Sequence, residues 1–441
     1  MYTFSSKLKT FSFALMIVGL LGVAYGFLTT PNSVEDVKVM LAESHETHGE
    51  VATHNNEVKA TEVHEDMEYS DDTHAEHAYH YLKNKPWSAL YVALFFFFMI
   101  SLATLAFYAI QHAAQAGWSV VLFRVMEGIT AYLPVGGVLL FVFFVLSSLH
   151  LNHLFIWMDP EVVAHDELIQ NKAGYLNVPF FLARAAIYIG GWILYRQHAR
   201  KLTLAQDNAT PGDISNFTKL FKRSAAFLVF FLVTESMMSW DWIMSLDPHW
   251  FSTLFGWYVF ASMIVSAVTT IALVSIYLKG KGYLEFVNNS HLHDLAKFMF
   301  GFSIFWTYLW FSQFMLIWYA NIPEEVTYFA TRFGDYKLPF LGMLALNFVF
   351  PLLVLMNSDF KRVNWFIVCT GIIILIGHYV DIFVMIMPAT VGDQWFIGIP
   401  EISSVLLILG LFIYVVFTAL SKAPLLAKGN PFIKESEHFH Y

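Results

Sequence analysis

SALYVALFFFFMISLATLAFYAI, residues 88–110, runs for 23 residues without a charge. At about 1.5 Å per residue a helix of that length crosses a hydrocarbon core of about 30 Å. The run is apolar on every side rather than in alternation. A helix, which satisfies its own backbone hydrogen bonds in lipid, therefore fits it better than a barrel strand. Similar runs recur at 10–28, 130–150, 179–196, 224–242, 254–278, 298–320, 338–356, 364–387 and 401–421. The 441 residues are 57% hydrophobic and only 13% charged, too oily for a soluble domain of this length. The expected fold class is an all-α polytopic membrane protein with about ten transmembrane helices. The first run follows Lys7 and Lys9 and ends in VAYG, as a signal peptide would, but is expected to stay as a helix.

Basic residues fix the orientation of such a chain. Of the 25 Lys and Arg, 17 fall in the terminal tails and the loops 112–129, 196–223, 279–297 and 357–363. Only 7 fall in 29–87, 151–178, 243–253, 321–337 and 388–400. Both termini are therefore expected in the cytoplasm of a bacterial inner membrane. The lone cysteine, Cys369, lies inside the ninth run. Disulfides within the chain, a thiolate-held iron–sulfur cluster and a CxxCH haem attachment are thereby excluded.

Segment 29–87 carries 13 acidic and 4 basic residues with little apolar periodicity and reads as an acidic, weakly structured periplasmic stretch. Seven histidines punctuate it: His45, His48, His54, His64, His74, His77 and His80. The spacing of His74, His77 and His80 would suit a soft divalent ion on one helix face. The commoner reading is a solvated linker that docks on a neighbouring subunit.

Ionisable groups at membrane depth are functional candidates because charge there costs several kcal/mol unless paired or hydrated. Counting along each helix puts Glu235 roughly 16 Å, and Asp241 roughly 25 Å, from the cytoplasmic end of the fifth run. His378 lies roughly 21 Å and Asp381 roughly 25 Å along the ninth, with Arg184 roughly 9 Å below the outer surface on the fourth. His378 and Asp381, three apart, share a face, so the carboxylate can orient the imidazole or exchange a proton with it. Arg184 is expected as counter-ion to Glu235 or Asp381. These five groups suit a proton relay; static ion pairs that fix helix packing are the competing reading. Gln111, His112, Arg124 and Glu127 would form an inner half-channel or merely sit at the headgroups, where charge is cheap. Thr269, Thr270, Ser303, Thr307, Gln313 and Asn347 read as hydrogen-bonding glue between helices. His150 with His378 is the only pairing conceivable for a bis-histidine haem.

The connection after the fifth run, SWDWIMSLDPHW at 239–250, has no Lys or Arg. Trp240, Trp242, His249 and Trp257 would line a quinone site, since aromatics beside a carboxylate and a histidine can hold a quinol head. The commoner reading makes Trp240, Trp242 and Trp250 interfacial anchors and Asp247-Pro248 a helix stop.

ESMMSWDWIMSLDPHWFSTLFGWY (235–258), QFMLIWYANIPEEVTYF (313–329) and LNFVFPLLVLMNSDFKR (346–362) resemble the F subunit of bacterial alternative complex III, itself similar to the NrfD and polysulfide-reductase membrane anchors. The resemblance spans the second to tenth runs. It implies a membrane subunit of a quinol:cytochrome c oxidoreductase, with quinol the substrate of the whole complex. This chain would hold no redox cofactor; haem c and iron–sulfur clusters would lie in partner subunits. Those partners would be a paralogous NrfD-like membrane subunit, a periplasmic iron–sulfur, molybdopterin-enzyme-like subunit and cytochrome c subunits, with a terminal oxidase as a further contact. Lipid is an expected partner and nucleic acid is not. The resemblance also implies two four-helix bundles, 88–242 and 243–387, flanked by a first helix at 1–28 and a last helix with its tail at 388–441. The proton-path residues would be Glu235, Asp241, His378, Asp381 and Arg184, with Glu127 and His112 inside. A purely structural subunit, a quinone-binding subunit and an autonomous transporter are the alternatives. A transporter would show matched broken helices in two halves, and Pro134 and Pro351 are isolated.

Overall fold

A computed structural model of the chain describes residues 2–31, 33–40 and 64–440, with side chains of 64–74 and of 77 excluded. The calls on His45, His48 and His54, and on the side chains of His64, His74 and His77, lie outside the described residues. Ten helices are long and apolar enough to cross a membrane, and no strand occurs among the described residues. They are α1 (Ser6–Leu28), α2 (His64–Ala113), α3 (Val120–Ser148), α4 (Val178–Asp207), α5 (Ser215–Trp242), α6 (Phe255–Gly280), α7 (Asn289–Ala320), α8 (Lys337–Leu355), α9 (Asn364–Val391) and α10 (Ile399–Leu420). The chain is an all-α polytopic membrane protein.

Several helices outrun the apolar stretches that announce them. The Lys- and Arg-rich residues 197–207 prolong α4, and α2 begins at His64, twenty-four residues before the apolar run at 88. The expectation of a weakly structured 29–87 therefore fails over 64–87. Helix propagation adds one hydrogen bond per residue fixed, so an anchored apolar segment carries its polar flank into the helix.

Helices α2 to α5 close one ring of neighbours, α2 on α3, α3 on α4, α4 on α5 and α5 back on α2. Helices α6 to α9 close a second in the same order. The rings meet where α2 packs on α6 and α9, and α5 on α6. Accordingly the apolar windows of α2 and α6 are 94% and 83% buried, against 22% for α1. The opening stretch of sequence is thus the most enclosed helix of the molecule. Helix α1 lies on α10 at the periphery, brought close by small residues: a methyl group on Gly19 would collide with the Leu407 backbone, and one on Gly410 with Ser12 and Met16.

Two helices break, each four residues before a proline. Proline has no N–H to donate and its ring clashes with the carbonyl four residues back. In α3 the carbonyl facing Pro134 is that of Thr130, and the helix divides into Phe123–Ile129 and Tyr132–Ser148. In α8 the carbonyl facing Pro351 is that of Asn347, and Ala345–Val349 widens into a π turn. Asn347 then lies wholly buried against α9, where a methyl group on Gly377 would strike its amide oxygen.

Candidate functional site

The second ring encloses a polar cluster. His378 and Asp381 on α9 are fully buried, with Nδ1 and Oδ2 3.5 Å apart. Ser262 of α6 stands between them, its Oγ 2.8 Å from Asp381 Oδ2 and 2.9 Å from His378 Nδ1. Trp306 of α7 donates its indole N–H to the same oxygen at 2.9 Å, and Tyr258 of α6 donates its hydroxyl to Asp381 Oδ1. Three donors thus converge on one carboxyl group, as suits its charged, acceptor-only form. If Ser262 donates to Asp381, its oxygen is free to accept from His378 Nδ1–H. That tautomer leaves Nε2 as the acceptor, and Nε2 is buried with no partner among the described residues.

The polar surface continues inward from this cluster. On α6, Tyr258, Ser262, Ser266 and Thr269 are spaced four, four and three residues apart, a single helix face, and all are buried. Opposite lie Asp381, His378 and Thr370 of α9, with Gly371 letting Thr269 approach. The side chains of Thr269, Thr370, Ser303 and Asn347 have buried polar atoms without a partner among the described residues. They are therefore not the interhelical glue expected of Thr269, Ser303 and Asn347. Thr270 and Thr307 bond only to carbonyls of their own helices, Ser266 and Ser303. Unpaired polar atoms grouped in a protein interior are the usual lodging of water.

Outward, one turn beyond Asp381, a cavity of about 80 Å³ is lined by Met244, Asp247, Trp250, Tyr328, Arg332 and Met385 among others. Arg332 comes from the amphipathic helix Pro323–Gly334 and is only 4% exposed. Its guanidinium lies 3.3 Å over the Tyr328 ring, which stacks on Trp250 at 4.0 Å. Burial pulls the Arg332 guanidinium below its ordinary value and pushes the Tyr328 hydroxyl above its own. Asp247 adds a carboxylate to the same lining.

The first ring is built differently. Arg184 grips Asp241 with two hydrogen bonds, 2.7 Å from Nε and 3.0 Å from Nη2, and donates a third, of 3.0 Å, to the Tyr175 carbonyl. Tyr188 donates to the same carboxylate at 3.2 Å. The expected pairing of Arg184 with Glu235 or Asp381 is replaced by this bidentate clamp, because Asp241 lies across from it on α5. Glu235 is 2% exposed and has no hydrogen-bond partner among the described residues. At the basic end Glu127 accepts from Arg124 at 2.6 Å, Thr203 at 2.7 Å and Tyr108 at 2.9 Å, and from Arg200; Arg124 also bonds Asp207. Arg124, Glu127, Gln111 and His112 are all buried within the protein rather than exposed on its surface. His112 packs between the rings of Tyr108 and Phe123 with neither nitrogen bonded.

The tetrad named for quinone does not converge. Trp242 is fully buried in the aromatic core of the first ring against Phe144 and Trp192, so it is no interfacial anchor either. Trp250 is likewise buried, against Tyr328. Trp257 is 48% exposed, His249 is exposed and bonds Asp166 at 2.5 Å, and Trp240 is half-buried with its indole N–H unpaired. His150 is exposed at the end of α3 whereas His378 is enclosed, so the haem pairing is not assembled. His80 is exposed and meets His153 edge-on. No group of three metal-ligating side chains occurs among the described residues.

Tyr258, Ser262, Trp306, Tyr328 and Arg332 escaped the sequence reading. The four-residue spacing of Tyr258, Ser262 and Ser266 in an apolar helix was the available signal; Arg332 counted only toward topology. Neither a protein-family model nor a curated protein matches the chain. The functional reading rests on the residues themselves.

Proposed function

We propose that the chain is the proton-conducting membrane subunit of a quinol:cytochrome c oxidoreductase of the alternative complex III type. It would sit in a bacterial inner membrane with both termini cytoplasmic. A paralogous NrfD-like subunit would lie beside it, and iron–sulfur and cytochrome c subunits would dock on the outer face. The observation that carries the proton path is the bridge His378–Ser262–Asp381 in the second ring. The three motifs quoted above support the assignment to this complex.

A proton arriving at His378 Nε2 makes the imidazole a cation, which releases its Nδ1 proton to Ser262 Oγ. Ser262 passes its own hydroxyl proton to Asp381 Oδ2; rotation of the hydroxyl and return of His378 to its Nδ1–H tautomer reset the bridge. Asp381 then discharges past Tyr258 toward the cavity holding Asp247 and Arg332. No group changes oxidation state, so the path needs no cofactor in this chain. Quinol oxidation in the partner subunits would supply the driving force.

The test is Asp381→Asn in the intact complex, reconstituted in liposomes, with protons released per electron as the readout. Unchanged stoichiometry and turnover with full assembly would remove the path. Co-purification of haem c and iron–sulfur subunits with the tagged wild-type chain tests the assignment to the complex separately. A structural role is favoured for the first ring alone, on the Arg184–Asp241 clamp.

A further inference from the structure

A second cavity lies at the Lys- and Arg-rich end, between α3 and α4 of the first ring and the peripheral α10. Its volume is about 480 Å³, within the roughly 300–1,000 Å³ of sites that bind small molecules. Arg196, Arg200 and Lys422 line it together with Glu127, Tyr414 and Thr418.

The charges do not cancel. Glu127 is already bonded by Arg124 and Arg200, and Asp207 by Arg124. Arg196 and Lys422 have no carboxylate partner among the described residues, and the Arg196 Nε is buried with no acceptor. Counting Arg124, Arg196, Arg200 and Lys422 against Glu127 and Asp207 leaves the pocket with two unmatched cations.

Position identifies the anion. Arg196 lies eighteen residues into α4, about 27 Å from the helix start at the other membrane face. Lys422 follows two residues after the end of α10 at Leu420. Both cations therefore stand where the hydrocarbon gives way to headgroups. The rest of the lining is apolar or small, including Ala131, Leu204, Val415 and Ala419. A free phosphate would leave those surfaces bare, whereas a phosphodiester with glycerol and acyl chains would cover them.

We infer that this cavity is a binding site for the headgroup of an anionic phospholipid, whose phosphodiester is held between Arg196 and Lys422. Basic pockets between helices on the cytoplasmic side are suited to such headgroups. The lipid would then fill the wedge between the first ring and the α1–α10 pair. This inference does not depend on the proton path or on membership of the complex.

The test uses the full chain purified in detergent and stripped of lipid, with native mass spectrometry reporting bound lipid. Phosphatidylglycerol is titrated beside phosphatidylcholine, and inorganic phosphate is added as competitor. The expected result is preferential retention of phosphatidylglycerol. Lys422→Gln and Arg196→Gln should each weaken it about tenfold, the change that follows loss of one charge-assisted contact. Arg196→Lys should keep most of the preference. Lys422 is exposed beyond its helix, so its variant leaves folding intact. Equal retention of phosphatidylcholine, or displacement by inorganic phosphate at matching concentration, would overturn the lipid assignment. So would an unchanged preference in both glutamine variants.

Discussion

The two four-helix rings use the same scaffold for opposite interiors. Each has a tyrosine near the outer end of its first helix bonded to its fourth helix: Tyr91 of α2 to the Trp242 carbonyl at 2.7 Å, and Tyr258 of α6 to Asp381. Proceeding inward by four, eight and eleven residues, α2 presents Phe95, Met99 and Leu102, whereas α6 presents Ser262, Ser266 and Thr269. Aromatic packing therefore seals the first ring, where Phe98, Phe144, Trp192 and Trp242 close around one another. Hydroxyls leave the second ring with unpaired polar atoms. The charges differ in the same sense: Asp241 is locked by a bidentate arginine, whereas the three donors that converge on Asp381 are neutral, and two of them, the Ser262 and Tyr258 hydroxyls, can also pass protons.

That contrast can be broken experimentally, and the largest effect is expected in the sealed ring. Arg184→Met leaves Asp241 buried without a cation, which costs about 3–5 kcal/mol for a pair of this kind. Thermal unfolding in detergent should show it, and Arg184→Met with Asp241→Leu should recover most of the loss. Protons released per electron should be unaltered in whatever assembles; a changed ratio would move the path into the first ring.

In the second ring, Asp381→Asn should lower turnover and proton release by about 100-fold or more, the usual worth of a positioned proton-transfer group. Ser262→Ala should act in the same direction but less, about tenfold, because water can replace a hydroxyl bridge. Thr269→Val sharpens the comparison at smaller amplitude. It removes an unpaired hydroxyl, so stability should stay level or rise by about 1 kcal/mol while proton uptake slows. A loss of stability would show that Thr269 is glue after all.

The smallest effect concerns the junction of the rings. Asn84 accepts the His153 backbone N–H at 3.1 Å and donates to the Thr390 carbonyl at 3.4 Å, tying the loop after α3 to the end of α9. Burial lowers the His153 imidazole, with Asp159 opposing. A base whose folded value is depressed favours the fold when neutral. Its contribution is full above the ordinary imidazole value of about 6.5 and is lost as pH falls through that value toward the folded one. His153→Gln should flatten the pH dependence of the unfolding temperature over that window and leave it unchanged at alkaline pH.

Sequence alone determined the membrane class and the ten helices. Those follow from one-dimensional quantities: apolar length against bilayer thickness, and rise per residue. It also brought His378 and Asp381 onto one face, because three residues apart is a local relation. Only the tertiary structure decided the partners. Arg184 meets Asp241 rather than Glu235 or Asp381, Ser262 enters between His378 and Asp381 from α6, and Trp242 turns into a core instead of a headgroup layer. Which face of a helix meets which neighbour depends on packing angles and register, and an apolar sequence that is oily all round leaves that choice open.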